Sequence, residues 1–218
     1  MNLASHRIEG STDIGFAGTP LAGKRLLIFD FDGTLADTTP LHAAAFSAVL
    51  GPFGVPVDYA RIAGMRTHEA LLMCTRAAGI ELREGLLAEL VMAKQAHVRE
   101  RIATELRPLP GVDAFLRAVR GRLPLAIATS GSRTTVELSL TALGYAGWFD
   151  LVLCAEDVHH AKPDPEIFAS ILARTGCAPE DALVFEDAEA GFAAARAAGL
   201  AYVDVRPNPW DTLREHLS

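Results

Sequence analysis

The stretch Leu27-Ile28-Phe29-Asp30-Phe31-Asp32-Gly33-Thr34-Leu35 is an apolar, strand-like run that ends in two carboxylates two residues apart. In an extended backbone residues i and i+2 point the same way, so Asp30 and Asp32 face one site. Such a pair can divide labour. One carboxylate can attack an electrophile and form a covalent intermediate, while the other moves protons for the leaving group and for the water that follows. Gly33 lets the chain turn sharply beside a ligand, where a side chain would obstruct. A buried strand running into an Asp-Gly turn accounts for Asp32 and Gly33 without any chemistry. It does not account for Asp30, because an unpaired carboxylate is costly to bury.

Working outward, short apolar runs recur at Leu26–Phe31, Leu125–Thr129, Leu151–Cys154, Ala182–Phe185 and Ala201–Val205, each bounded by Gly, Pro, Asp or Ser. Runs of that length and flanking suit strands of a buried parallel sheet. Helix-like stretches near 133–143, 165–175 and 189–199 separate the last four. Strand and helix alternate, which predicts a doubly wound, Rossmann-like α/β core.

The interval 39–106 breaks the rhythm, since it holds no comparable strand. Leu86, Leu87, Leu90, Val91, Val98 and Ile102 mark one apolar helical face, with Arg83, Glu84, Glu89, Arg99 and Glu100 elsewhere. A small helical cap domain inserted after the first strand is therefore expected over 39–106, returning at Pro108-Leu109-Pro110-Gly111, a turn-rich junction. Residues 23–38 and 107–218 would form the core, and residues 1–22, with scattered Gly, Ser, Thr and Pro, a loose leader. Ligands of open α/β sheets bind at the carboxyl ends of the strands, so the insert is placed to cover the site.

Composition narrows the function classes. Half of the 218 residues are hydrophobic and 22% are charged, an ordinary globular balance. A formal net charge of −7, with no concentrated Lys or Arg, argues against a nucleic-acid partner. Cys74, Cys154 and Cys177 are odd in number and widely spaced, so three buried or inert thiols are expected rather than a disulfide framework or a zinc site. Residues 1–25 lack a continuous apolar segment, and no stretch approaches the ~18 apolar residues of a membrane span. A cytoplasmic protein with no membrane partner is expected; the oligomeric state is not legible in the sequence, and a monomer is compatible with it.

Three further stations lie at strand ends. Thr129-Ser130-Gly131-Ser132 offers a hydroxyl and free backbone N–H groups before a helix, which suits a phosphate and equally suits an ordinary N-cap. Lys162, in Ala161-Lys162-Pro163-Asp164-Pro165, sits in a loop stiffened by two prolines and supplies a compact positive charge for phosphate or a carboxylate, unless it is a solvated surface Lys. Val184-Phe185-Glu186-Asp187 ends another apolar run in adjacent acids. If Glu186 and Asp187 lie beside Asp30 and Asp32, their repulsion calls for a cation, and hard oxygen ligands with room for phosphate oxygens indicate Mg²⁺. Together the stations hold the parts of in-line phosphoryl transfer through an aspartyl-phosphate.

These residues resemble the haloacid dehalogenase superfamily: DFDGTLADT looks like its first motif, Ser130 its second, Lys162 its third, and Glu186-Asp187 its acidic fourth. An Asp two residues after the nucleophile implies, in that superfamily, a phosphotransferase or phosphatase rather than a dehalogenase. The early helical insert is similar to the cap of the β-phosphoglucomutase-like branch, and DVHHAKPDPEIF and VFEDAEAGFAAARAAGLAYVDVR look like that branch's fructose-1-phosphate phosphatases. By this resemblance Asp30 is nucleophile and Asp32 general acid/base. Ser130, Gly131 and Lys162 hold the phosphoryl group, and Asp30, the Asp32 carbonyl, Glu186 and Asp187 surround Mg²⁺. His42, Arg66, Thr67 and Lys94 are candidate contacts to a small phosphorylated substrate, although His42 and Lys94 also suit solvated helix faces. The resemblance implies a phosphoric monoester hydrolase acting on sugar phosphates, with a phosphomutase as alternative and a non-catalytic phosphometabolite-binding protein as a rival of another class. Mutase caps carry a Lys-Gly-x-Ser-Arg segment, whereas Ile62-Ala63-Gly64-Met65-Arg66-Thr67 has Ala where that Lys would be. His159 and His160 are expected to be a polar loop pair rather than metal ligands.

Overall fold

The structure is a computed structural model and describes residues 20–215 and 217. Its strands are β1 (Leu26–Phe29), β2 (Leu125–Ala128), β3 (Leu151–Leu153), β4 (Ala182–Glu186) and β5 (Ala201–Asp204). They form one sheet in the order β3-β2-β1-β4-β5, every neighbouring pair parallel. Both faces are covered, and the side-chain alternation of a strand divides the core in two. Leu27, Phe29, Leu125, Ile127, Leu183 and Phe185 enter one cluster. Their strand neighbours Leu26, Ile28, Ala126, Ala128, Ala182 and Val184 enter the other. Each fully buried Leu, Ile or Phe contributes roughly 1.5–3 kcal/mol, which is why runs as short as LLIF and LAIA are held as strands.

The helices are α1 (Thr39–Leu50), α2 (Thr67–Ala77), α3 (Glu84–Glu105), α4 (Val112–Val119), α5 (Arg133–Ala142), α6 (Glu166–Thr175), α7 (Glu189–Ala197) and α8 (Trp210–Glu215). Helices α4, α5 and α8 cover the first face, and α6 and α7 the second. Sequence patterning places α5, α6 and α7 within a few residues. It gives no expectation for α4, whose Val112, Phe115, Leu116 and Val119 are nevertheless wholly buried. Trp210 of α8 closes an aromatic group with Phe29, Phe115 and Phe185 beneath the site, with Phe29 and Phe185 stacked at 4.8 Å.

Helices α1, α2 and α3 occupy the interval between β1 and α4 and build their own cluster around Phe46, Leu50, Ile62, Leu71 and Leu90. The separation is not clean, because Leu41, Ala45, Val98, Ile102 and Leu106 pack into the larger core beside the sheet. The 22-residue α3 thus joins both clusters. Where the chain leaves and returns, Asp37 N–H donates to the Arg107 carbonyl at 2.9 Å and Leu109 N–H to the Leu35 carbonyl at 3.2 Å. The leader expected over 1–22 lies outside the described residues up to 19. Leu21 is wholly buried in the core, so the packed chain starts before residue 23. Cys74, Cys154 and Cys177 are free thiols, of which only Cys154 is buried and the other two are half-buried. Burial raises all three thiol pKa values, Cys154 to about 12, so they are poor nucleophiles. No helix among the described residues is long and apolar enough to cross a membrane.

Candidate active site

From β1 the chain winds outward through β2 and β3, then returns to the other side of β1 to form β4 and β5. The crevice beyond the carboxyl ends of the strands flanking such a reversal is the natural ligand site of an open α/β sheet. Phe29 pairs in register with Phe185, so Asp30 and Glu186 leave the sheet side by side. The N–H of Asp30 donates to the Phe185 carbonyl at 2.9 Å.

Lys162 reaches this point from the loop between β3 and α6. Its ammonium donates to Asp30 Oδ1 at 2.7 Å, Glu186 Oε2 at 2.7 Å and the Ala128 carbonyl at 2.9 Å, which uses all three of its protons. Only 4% of the side chain is exposed, so Lys162 is not a solvated surface residue. Burial works against its charge, but the two carboxylates outweigh it and hold the ammonium above its ordinary range. The second oxygen of Glu186 accepts from the N–H groups of Asp187 and Ala188, each at 3.1 Å. The Thr34 hydroxyl donates to Asp187 Oδ1 at 3.2 Å and orients it.

Asp30, Glu186 and Asp187 each present an oxygen within 4.8 Å of the others. One ammonium therefore faces three carboxylates. Burial, followed by repulsion from Glu186, raises the Asp30 pKa despite Lys162, and the same two causes push Asp187 up to about 7. An added cation would relieve that strain. Space is reserved for the carboxylates themselves. A Cβ on Gly33 would stand 2.3 Å from Asp187 Oδ2, and one on Gly191 would stand 2.0 Å from Glu186 Oε2. Hard oxygen donors with excess negative charge fit a hard divalent cation. The Asp32 carboxylate is not part of this cluster. A separate group of His160, Asp164 and Glu166 lies where the loop after β3 enters α6, and there Glu166 braces the backbone by accepting from the N–H groups of His159 and His160.

Asp32 turns instead toward α1. His42 Nε2 lies 3.2 Å from Asp32 Oδ1, and Lys94 Nζ lies 2.6 Å from His42 Nδ1. A protonated Lys94 donates to Nδ1, which fixes the imidazole proton on Nε2, facing Asp32. Burial opposes ionisation of Asp32, but the neighbouring His42, with help from Thr38 and Lys94, holds its carboxyl down to about 2. Lys94 is itself buried, 4.6 Å above the Phe46 ring, and its pKa falls to about 8 because burial outweighs the pull of Asp32. The alternative of solvated helix faces for Lys94 and His42 is overturned: helix α3 packs across α1 and turns both inward.

Asp30, Asp32, Ser130, Gly131, Lys162, Glu186 and Asp187 line one cavity with His42, Thr67 and Lys94. Arg66 does not join them. Its Nη1 donates to the His159 carbonyl at 3.1 Å, and its Nη2 to Ala155 at 3.2 Å and Val158 at 2.8 Å. It thus ties the start of α2 to the core loop that follows β3. Ser132 is the residue before α5, its hydroxyl on Thr135 Oγ1 at 2.9 Å, so the N-cap position and the cavity-lining Ser130 are separate residues of one loop. Sequence reasoning missed Tyr59, which lines the cavity and stacks 6.3 Å from the His42 ring. It also missed the orienting role of Thr34. Thr34 stands inside the quoted motif, whereas nothing in the sequence brings Tyr59 to His42.

Residues 27–205 match the haloacid dehalogenase-like hydrolase family. The chain is 37% identical over 182 residues to fructose-1-phosphate phosphatase YqaB of Escherichia coli, covering 83% of this chain and 95% of that protein. It is 34% identical over 179 residues to a phosphorylated carbohydrates phosphatase of Thermotoga maritima, covering 80% and 81%. Among solved structures, CbbY of Rhodobacter sphaeroides in complex with phosphate aligns with a TM-score of 0.74 at 27% identity, covering 82% of this chain and 84% of that one.

Proposed function

Because the chain belongs to the haloacid dehalogenase-like hydrolases, we propose that it is a Mg²⁺-dependent phosphatase of small phosphorylated metabolites, most specifically sugar phosphates of the fructose-1-phosphate kind. The observation that carries the proposal is the meeting of Asp30, Lys162, Glu186 and Asp187 at the switch point, with Asp32 held apart by His42. Relatives named as phosphatases of phosphorylated carbohydrates support the substrate class.

In the first half-reaction an Asp30 oxygen forms a bond to phosphorus as the bond to the leaving oxygen breaks. Lys162 bonds to Asp30 Oδ1 and favours its ionised, nucleophilic form. The leaving oxygen takes a proton from Asp32. That carboxyl is ionised at rest, so it first takes up a proton from the substrate's monoanionic phosphoryl group or from water, which the approach of the anionic phosphate favours by raising its pKa. In the second half-reaction Asp32 takes a proton from water, the water oxygen bonds to phosphorus, and the bond to Asp30 breaks. Asp30 and Asp187 would hold Mg²⁺ with Glu186 beside them, and the ion would neutralise charge on the transferring phosphoryl oxygens. Ser130 and Gly131 would steady those oxygens from the loop before α5.

The helical segment 39–106 would act as the cap, its Tyr59, Ile62, Ala63 and Met65 walling the cavity opposite the strand ends. Ala63 stands where a mutase cap carries Lys, which favours hydrolysis over return of the phosphoryl group to a bound sugar. Incubation with fructose 1-phosphate or glucose 1-phosphate, with Mg²⁺ or EDTA, separates the readings. Mg²⁺-dependent release of free phosphate is expected, and isomerised sugar phosphate without release would overturn the hydrolase in favour of the mutase.

A further inference from the structure

Beside the cavity over Asp30 lies an open recess of about 230 Å³, whose walls include Arg66, Thr67, Gln95, Ser130, Ser132 and Glu156. Thr67 and Ser130 line both spaces. The inner cavity, at about 60 Å³, has room for roughly four to six water-sized groups at ~10–15 Å³ each. That accommodates a phosphoryl group and a cation but no sugar as well. A substrate with its phosphoryl group over Asp30 therefore extends its leaving group into the recess.

The basic groups around the recess have partners of their own. Both terminal nitrogens of Arg66 are bound to main-chain carbonyls. Lys94 is bound to His42, and His68 faces Glu69 at 3.9 Å. Among the described residues lining the recess, Glu156 is the one carboxylate. It is exposed, and its two oxygens accept from the N–H of Arg133, the first residue of α5, at 3.0 and 3.2 Å. The place at a helix start that would welcome an incoming anion is thus filled by a carboxylate of the chain itself.

We propose that Glu156 is a specificity-determining residue that restricts the recess to uncharged, hydroxyl-rich leaving groups, so that monophosphates of sugars or polyols are accepted and a second phosphate is rejected. The inference rests on the phosphatase reading. Carboxylate oxygens accept hydroxyl protons, and Thr67, Gln95 and Ser132 supply neutral donors and acceptors around them. Against a second phosphate the same charge is repulsive, and specificity gained through repulsion is a general device. A unit charge about 6 Å from a phosphate dianion in water-like dielectric changes affinity by roughly tenfold.

The test compares kcat/KM for fructose 1-phosphate and fructose 1,6-bisphosphate, with Mg²⁺, in wild type and Glu156→Gln. Gln still accepts from the Arg133 N–H, so the start of α5 keeps its partner. The wild type should favour the monophosphate, and the variant should narrow the ratio by roughly tenfold. Added salt should narrow the wild-type ratio but not that of the variant, because the exposed carboxylate is screened. A structural role alone would slow both substrates equally, so an unchanged ratio overturns the assignment. Wild-type preference for the bisphosphate overturns it too. Release of phosphate from neither compound would bring down the phosphatase reading and this inference with it, whereas release with an unaltered ratio brings down the inference alone.

Discussion

Replacing Lys162 with Met removes the ammonium bonded to Asp30 and Glu186 while keeping a side chain of similar length. Both carboxylates lie 2.7 Å from Nζ, with side chains 10% and 1% exposed. Breaking a buried pair by deleting one partner costs about 3–5 kcal/mol, because the remaining charge is stranded. The Ala128 carbonyl also loses its 2.9 Å bond, about 1 kcal/mol more. For a chain of this size each kcal/mol moves Tm by about 2–4 °C, so the variant in EDTA at neutral pH should melt roughly 8–24 °C lower. Acidification should shrink the gap. Burial and Glu186 already raise the Asp30 pKa, and the variant loses the Lys162 charge that lowers it, so folding binds a proton there and the variant gains stability as pH falls. Saturating Mg²⁺ should shrink the gap as well, since it binds only the folded cluster. Thermal melts of wild type and Lys162→Met under these conditions provide the check. A variant within about 1 kcal/mol of wild type in EDTA at pH 7 would refute the claim that Lys162 is the structural counter-charge of the site.

Gly191→Ala would place a Cβ 2.0 Å from Glu186 Oε2 on a helix backbone that otherwise tolerates Ala, so it should cost about 1–3 kcal/mol and most of the phosphate release. Wild-type melting and turnover in that variant would contradict the packing. Lys94 has a folded pKa of about 8 against an ordinary 10.5, so the unfolded chain binds the extra proton between those values and this position adds stability as pH rises across that window. Lys94→Met titrates nothing there. Melts from pH 7 to 10.5 should show wild type gaining on the variant, and parallel curves would rule the assignment out.

The strands are legible in the sequence because burial on both faces leaves continuous apolar runs, and three of them stop at residues that line the cavity, Asp30, Ser130 and Glu186. Lys162 lies farther on, in the loop between β3 and α6. The order of the strands in the sheet is not legible from periodicity. The register of Phe29 with Phe185, which sets Asp30 beside Glu186, exists only once β4 has returned to β1. Helix α4 hides because eight residues carry few turns, and its four apolar positions read equally well as a loop beside Pro110 and Gly111. The line from Lys94 through His42 to Asp32 joins residues 52 and 10 positions apart across two helices, so composition and spacing cannot reveal it. Arg66 looks like a substrate contact by sequence position, yet three main-chain carbonyls in the loop after β3 claim it. Glu156 carries no motif at all, and only its place at the start of α5 gives it meaning.

On the proposed mechanism Asp30 takes the phosphoryl group. Acid quenching during turnover of fructose 1-phosphate with Mg²⁺, followed by mass spectrometry of the digested protein, tests it directly. One phosphoryl group should be found on the peptide carrying Asp30, forming and decaying no more slowly than turnover, and Asp30→Asn should abolish both the adduct and phosphate release while the fold survives. Sustained phosphate release by Asp30→Asn, or a phosphoryl group on a different residue, would contradict the account.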